Sequence, residues 1–116
     1  MAKVDHNQGC NLMNQMSRGV KIEADHFFDE KLLEENVFDA IVLPGGLGGA
    51  NVFKECPLLV QTTEKFLKDE TKIVGAICAS PAVVLQSHNL LENYDQYTSY
   101  PAPVFKEMMD KQKWTD

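Results

Sequence analysis

The stretch "KIVGAICASPAVVL", residues 72–85, begins as an apolar, β-branched run, passes through small residues around Cys78 and continues in residues suited to a helix. A buried strand delivered straight into a helix is the building step of a parallel α/β sheet, so this stretch decides the fold class. Pro81 falls where the first helical turn tolerates proline, because the amide hydrogen it lacks would find no carbonyl there. Ala76, Ile77, Cys78, Ala79 and Ser80 read small, any, nucleophile, any, small. That is the requirement of a nucleophile elbow, a strained strand-to-helix turn in which bulky neighbours two positions away would clash. A thiol so placed points to solvent and meets the positive end of a helix dipole, which favours thiolate and is expected to depress its pKa. The same residues also suit a buried cysteine acting as a small hydrophobe at the end of a core strand, and pattern alone leaves both readings open.

Upstream, "FDAIVLPGG" carries an apolar run from Ala40 to Leu43 ended by Pro44 and two glycines, which reads as a strand buried on both faces. The segment "PGGLGGAN", 44–51, would let bare backbone N–H groups approach a ligand closely, and amides near Gly46 and Ala79 could stabilise an oxyanion. It lacks the lysine of a P-loop and the spacing of a dinucleotide fingerprint. Between the two strands, Pro57 opens a segment in which Leu58 or Leu59, Thr62, Phe66 and Leu67 recur at helical spacing, predicting a helix over 57–68. Earlier in the chain, "GVKIEAD", 19–25, sets Val20, Ile22 and Ala24 inward against Lys21 and Glu23 outward, the two-residue period of a half-buried strand. "DEKLLEEN" follows with Asp29 as a cap for a brief helix. Towards the end, "QYTS" reads as a short strand and "VFKEMMDKQKW" as a helix with Val104, Phe105, Met108 and Met109 on one side. The order predicts one α/β domain, a parallel sheet with helices on both faces.

A chain of 116 residues with 44% hydrophobic composition suffices for one core. The net charge of −6 gives no electrostatic reason to approach nucleic acid or an anionic membrane. The N-terminus has no signal-peptide core and no window has the apolar length of a bilayer span, so the expected setting is cytoplasmic. Cys10, Cys56 and Cys78 show no C-x-x-C spacing, and His6, His26 and His88 form no ligand pattern, so neither a disulfide framework nor a metal is expected. Cys10 and Cys56 read as incidental. His88 lies at the far end of the helix that starts beside Cys78, about 15 Å away at about 1.5 Å per residue, too far for a catalytic base.

"FDAIVLPGGLGGAN", a helix, then "IVGAICASPAVVL", preceded by "SRGVKIEAD" and followed by "YTSYP", resembles the DJ-1/ThiJ/PfpI family in its DJ-1-like branch. The resemblance covers at least Ser17 to Met109. It implies a flavodoxin-like, Rossmann-like three-layer sandwich, no cofactor, and Cys78 as the oxidisable nucleophile. Gly45, Gly46 and Ala79 would supply the anion pocket, with Tyr100 and Ser80 as further candidate pocket residues. It also implies action on small reactive carbonyls or glycated substrates, of the glyoxalase or deglycase type, or alternatively a sensor or redox-regulated chaperone role through Cys78 oxidation, in a protein that self-associates as a homodimer. Two departures stand out. The chain opens at "AKVDH", near the family's second strand, so the first strand, its helix and the Glu that bonds the thiolate are expected to be absent, as are the last strands and helix, making 1–116 a partial domain. Glu23 and Asp25 match a different strand and do not replace that Glu. Tyr100 stands where the DJ-1-like branch has a His, and a phenol with an unperturbed pKa of about 10 is a poor base near neutrality. Loss of a central strand leaves unpaired edges that recruit other chains.

Overall fold

The computed structural model describes residues 1–4 and 12–116, so His6 and Cys10 lie outside the described residues. Strands β1 (Ala2–Lys3) and β4 (His26–Phe27) pair in parallel, with Ala2 opposite His26. The Met1 ammonium donates to Asp25 at the entrance to β4. Between them, β2 (Met13–Gln15) and β3 (Lys21–Glu23) form an antiparallel ribbon. The 3-10 turn Ser17–Gly19 joins them through positive φ at Arg18 and Gly19. The strand expected over 19–25 is therefore shorter, and Val20 and Ile22 are exposed rather than inward. A ribbon two strands wide has no further layer to cover them, and Ala24, just past it, is the residue that reaches the interior.

Helix α1 (Glu30–Glu35) begins as its sequence requires, the Asp29 carboxylate accepting from the Leu32 amide at 2.8 Å. Next come β5 (Ala40–Leu43), α2 (Leu47–Lys54), α3 (Pro57–Lys68) and β6 (Ile73–Ala76). The α3 boundaries are those expected from Pro57 and the helical spacing. β5 and β6 run parallel with Ala40 opposite Ile73 and Leu43 opposite Ala76, the strand–helix–strand step expected of an α/β fold. The chain then winds through a π turn, Pro81–Leu85, and a 3-10 turn, Gln86–His88, before α4 (Pro103–Met108).

Leu43, Ala50, Leu59, Val84, Phe105 and Met109 meet in one core on the side of the β5–β6 pair where α2, α3 and the 81–88 turns pack. The hydroxyls of Thr62 and Thr63, buried on α3, are satisfied by the carbonyls of Leu58 and Leu59.

Several expectations are corrected here. β5 is buried on one face only: Leu43 is 2% exposed, but Val42 is 67% exposed and Ile73 opposes the same open face. Among the described residues, helices therefore cover one face of this pair rather than both. The run after Cys78 is helical but not α-helical beyond its first residue. "QYTS" makes a single bridge, Tyr97 with Trp114, in place of a strand. α4 stops at Met108, burying Phe105 while Val104 stays exposed. Met109, next to it, is buried from outside the helix.

Deleting side-chain volume should follow this asymmetry. Leu43→Ala is expected to destabilise the chain by about 2–5 kcal/mol through transfer and cavity terms. Val42→Ala, on the open face, should stay within about 0.5 kcal/mol. Urea denaturation of both variants checks the contrast, and equal losses would contradict a one-sided core.

Candidate active site at the Cys78 turn

The Ile77 amide still donates to the Leu43 carbonyl at 3.3 Å, so β6 keeps its register with β5 for one residue beyond the strand. Cys78 then adopts φ 63°. This left-handed conformation costs an L-residue about 1–2 kcal/mol, and only surrounding structure holds it. The turn closes through the Ser80 amide onto the Ile77 carbonyl at 3.2 Å, and the following helical turn through the Val83 amide onto the Ala79 carbonyl at 2.8 Å. The Cys78 carbonyl accepts two further hydrogen bonds, from the Tyr100 amide and the Ser99 hydroxyl, each at 2.7 Å. Thus the segment before α4 is fastened to the elbow by backbone atoms.

Gly45 meets this turn from the β5 side. A Cβ at 45 would lie 2.6 Å from the Cys78 Cβ and 3.3 Å from its Sγ, so glycine is required there by space. Gly46 has φ 97°, caps α2, and its carbonyl accepts from the Ala50 amide at 2.9 Å. α2 therefore starts two residues after the glycine that touches Cys78, and its N-terminus has no side-chain cap. Ser80 is fully buried, its hydroxyl donating to the Pro44 carbonyl at 2.7 Å and tying the two strand ends together. Ala79 is buried, while Cys78 is exposed, and its sulfur has no hydrogen-bond partner among the described residues. The Tyr100 ring is 54% exposed and leans edge-on against Phe105, centroids 6.4 Å apart.

The structure thus brings together Cys78, Gly45, Gly46, Ala79, Ser80 and Tyr100. Cys56 lies elsewhere, half-buried at the start of α3. His88 is also committed elsewhere: its Nε2 lies 2.9 Å from the Lys54 carbonyl, which only accepts, so Nε2 carries the proton. Glu23 sits on the ribbon, and the Asp25 carboxyl is held below its usual range by the Met1 ammonium, first through a hydrogen bond and then through charge. Sequence reasoning missed Ser99 and the Pro44 carbonyl as supports of the elbow. The hydroxyl preceding Tyr100 in "YTSYP" was the available signal.

An α/β fold with parallel strands and an exposed, strained cysteine at a strand-to-helix elbow defines a flavodoxin-like protein built around a thiol. The DJ-1/PfpI family model matches residues 2–116, and the chain belongs to the DJ-1/PfpI family. It is 48% identical over 94 residues to Protein DJ-1 homolog B of Arabidopsis thaliana, covering 81% of this chain and 20% of that one. Protein DJ-1 homolog A of the same plant is 40% identical over 103 residues, 89% of this chain and 25% of that one. Among solved structures, Toxoplasma gondii DJ-1, oxidized, matches with a TM-score of 0.78 at 30% identity, over 99% of this chain and 57% of that chain. The VC2308 protein matches with a TM-score of 0.76 at 32% identity, over 92% and 52%. The chain therefore spans a fifth to a quarter of the curated plant relatives and just over half of these solved chains.

Two variants test the elbow. Cys78→Gly and Cys78→Ala both remove the thiol but differ by a Cβ at φ 63°, so the glycine variant should be the more stable by about 1 kcal/mol. Gly45→Ala should destabilise by about 1–3 kcal/mol through overpacking. Thermal melts measure both, and an alanine variant at 78 as stable as the glycine one would mean that the elbow is relaxed.

Proposed function

We propose that this chain carries the cysteine of a DJ-1-like protein acting on reactive carbonyls, by a glyoxalase- or deglycase-type conversion. The observation that supports this reading is Cys78 itself, exposed, left-handed and flanked by Gly45 and the start of α2. With a 2-oxoaldehyde such as methylglyoxal, the Cys78 thiolate attacks the aldehyde carbon. The S–C bond forms, the carbonyl π pair moves to oxygen, and protonation there gives a hemithioacetal. Amides of Gly45, Gly46 and Ala79 are the proposed donors to that oxygen. A base then takes the proton from the former aldehyde carbon and an acid returns one to the neighbouring carbonyl carbon, while the hydroxyl proton passes from the first oxygen to the neighbouring one. The first carbon is oxidised to a thioester while its neighbour is reduced to an alcohol. Water cleaves the thioester, releasing a 2-hydroxy acid and the free thiol.

Tyr100 is the proposed neighbour of the bound carbonyl, while Ser80 acts by holding the pocket wall through Pro44. The described residues bring no carboxylate into hydrogen bond with the sulfur, so turnover by residues 1–116 alone is expected to be slow. The proposed setting is cytoplasmic, in keeping with free thiols at Cys56 and Cys78, and the protein is proposed to self-associate as a homodimer.

A second reading is supported by the exposure of Cys78 and by the Toxoplasma relative solved in an oxidized state. Here peroxide converts the thiolate to sulfenic and then sulfinic acid, and the modified turn alters partner binding without turnover. The two readings separate in one experiment. Wild type should form lactate from methylglyoxal and Cys78→Ala none, and activity that survives the substitution would falsify the enzymatic mechanism. In the same samples, mass spectrometry after mild peroxide should find oxygen on Cys78 before Cys56 or Cys10, whereas the reverse order would remove the sensor reading.

A further inference from the structure

The peptide between Cys78 and Ala79 is hydrogen-bonded from one side only. Its carbonyl accepts from the Tyr100 amide and from the Ser99 hydroxyl, each at 2.7 Å. Its N–H, on Ala79, has no hydrogen-bond partner among the described residues, although Ala79 is only 2% exposed. An amide hydrogen with nothing to bond is rare on a buried residue and calls for an acceptor. The peptide is trans and planar, so its carbonyl and its N–H point in opposite directions, and whatever fixes one aims the other. The two donors sit on a segment that is itself held at both ends. Two residues before Ser99, the Tyr97 amide donates to the Lys113 carbonyl and the Tyr97 carbonyl accepts from Thr115, each at 3.0 Å. Beyond Tyr100, the Ala102 amide donates back to the Tyr100 carbonyl at 2.8 Å, and the Ala102 carbonyl takes the first amides of α4 from Phe105 and Lys106. Ser99 is buried between these fixed points.

We propose that Ser99 is a positioning residue: acting through the Cys78–Ala79 peptide, its hydroxyl aims the Ala79 N–H at an anionic oxygen held beside the Cys78 sulfur. The role rests on the carbonyl reading above, in which that oxygen is the one that gains the π pair when the thiolate adds. One hydrogen bond would satisfy the Cys78 carbonyl, and the Tyr100 amide already supplies it. A second, from the neighbouring residue, fixes the carbonyl in two directions and keeps the peptide plane from swinging. It also draws charge towards the carbonyl oxygen, which strengthens the N–H of the same peptide as a donor. Neither effect touches the sulfur. Of the two donors the hydroxyl is the one carried by a side chain, so residue 99 is where the sequence controls the aim. A hydroxyl that merely needed an acceptor would leave the chemistry of Cys78 alone. A positioning hydroxyl affects the steps that develop charge on oxygen and spares those that do not.

The test compares the full chain with its Ser99→Ala and Ser99→Thr variants. Ser99→Ala should lower kcat for lactate formation from methylglyoxal by about tenfold and leave KM within about twofold, because the amide bonds more strongly in the transition state than in the bound aldehyde. Alkylation of Cys78 by iodoacetamide, a displacement that puts no charge on a pocket oxygen, should also stay within about twofold. Ser99→Thr, which keeps the hydroxyl, should recover most of kcat. Equal losses in turnover and alkylation would mean a displaced cysteine and overturn the proposal, as would no loss in either. If wild type makes no lactate, the carbonyl reading fails and the aim of the amide is read from an anion formed in place. Two equivalents of peroxide oxidise the Cys78 thiolate to the sulfinate and leave water. In nitrogen-15-labelled protein the Ala79 amide proton should then move downfield in wild type and much less in Ser99→Ala, and equal movement in the two would overturn the proposal by itself. Should Ser99→Ala fail to fold, Ser99→Thr and Ser99→Val, alike in shape and unlike in the hydroxyl, carry the same comparisons.

Discussion

The left-handed backbone at Cys78 is the constraint on which the site rests, because three separate segments are arranged around it. The end of β5 reaches it through Gly45, whose missing side chain lets the two loops touch. The segment after the 3-10 turn reaches it through Ser99 and Tyr100, both donating to the Cys78 carbonyl. The buried Ser80 hydroxyl closes the ring by reaching back to Pro44. Each tie constrains backbone rather than the thiol, which leaves the sulfur exposed and unengaged. An αL residue costs about 1–2 kcal/mol. Each hydrogen bond contributes about 0.5–1.5 kcal/mol net, so the two on the Cys78 carbonyl are of a size to offset the strain they hold.

The position of Tyr100 follows from the same arrangement. Its amide is fixed to the elbow and its ring rests on the edge of Phe105, a core residue, so the phenol has one anchored end and one exposed end. Where an imidazole would offer a base near neutral pH, this chain offers a hydroxyl that donates, and the chemistry proposed for Tyr100 is limited to orientation.

How much of this was legible in the sequence depends on whether a feature is local. The elbow was, since five consecutive residues carry its steric requirement, and so was α3, since Pro57 marks its start and its spacing is regular. α2 was not. Gly48 and Gly49 lie inside it, and glycine disfavours helix by about 1 kcal/mol per residue. That helix is held instead by tertiary contact, with Ala50 wholly buried and Phe53 packed on the core. The faces of β5 were misread for a related reason. A continuous apolar run states that both faces could be covered, and only the placement of helices determines that Leu43 is covered while Val42 is not. Ser99 escaped because its contact lies 21 residues away from Cys78 in the chain.

β5 links the one-sided core to the cysteine turn. Its residues alternate along the strand, Leu43 turning its side chain into the core and its carbonyl towards β6 while the Val42 side chain stays exposed. Its C-terminal end continues through Pro44 to Gly45, the surface against which Cys78 is seated. Among the described residues this four-residue strand pairs with β6 alone, and the precision of the Gly45 contact is inherited from that pairing. A cysteine whose strain is local therefore depends for its rigidity on strand pairing that is not.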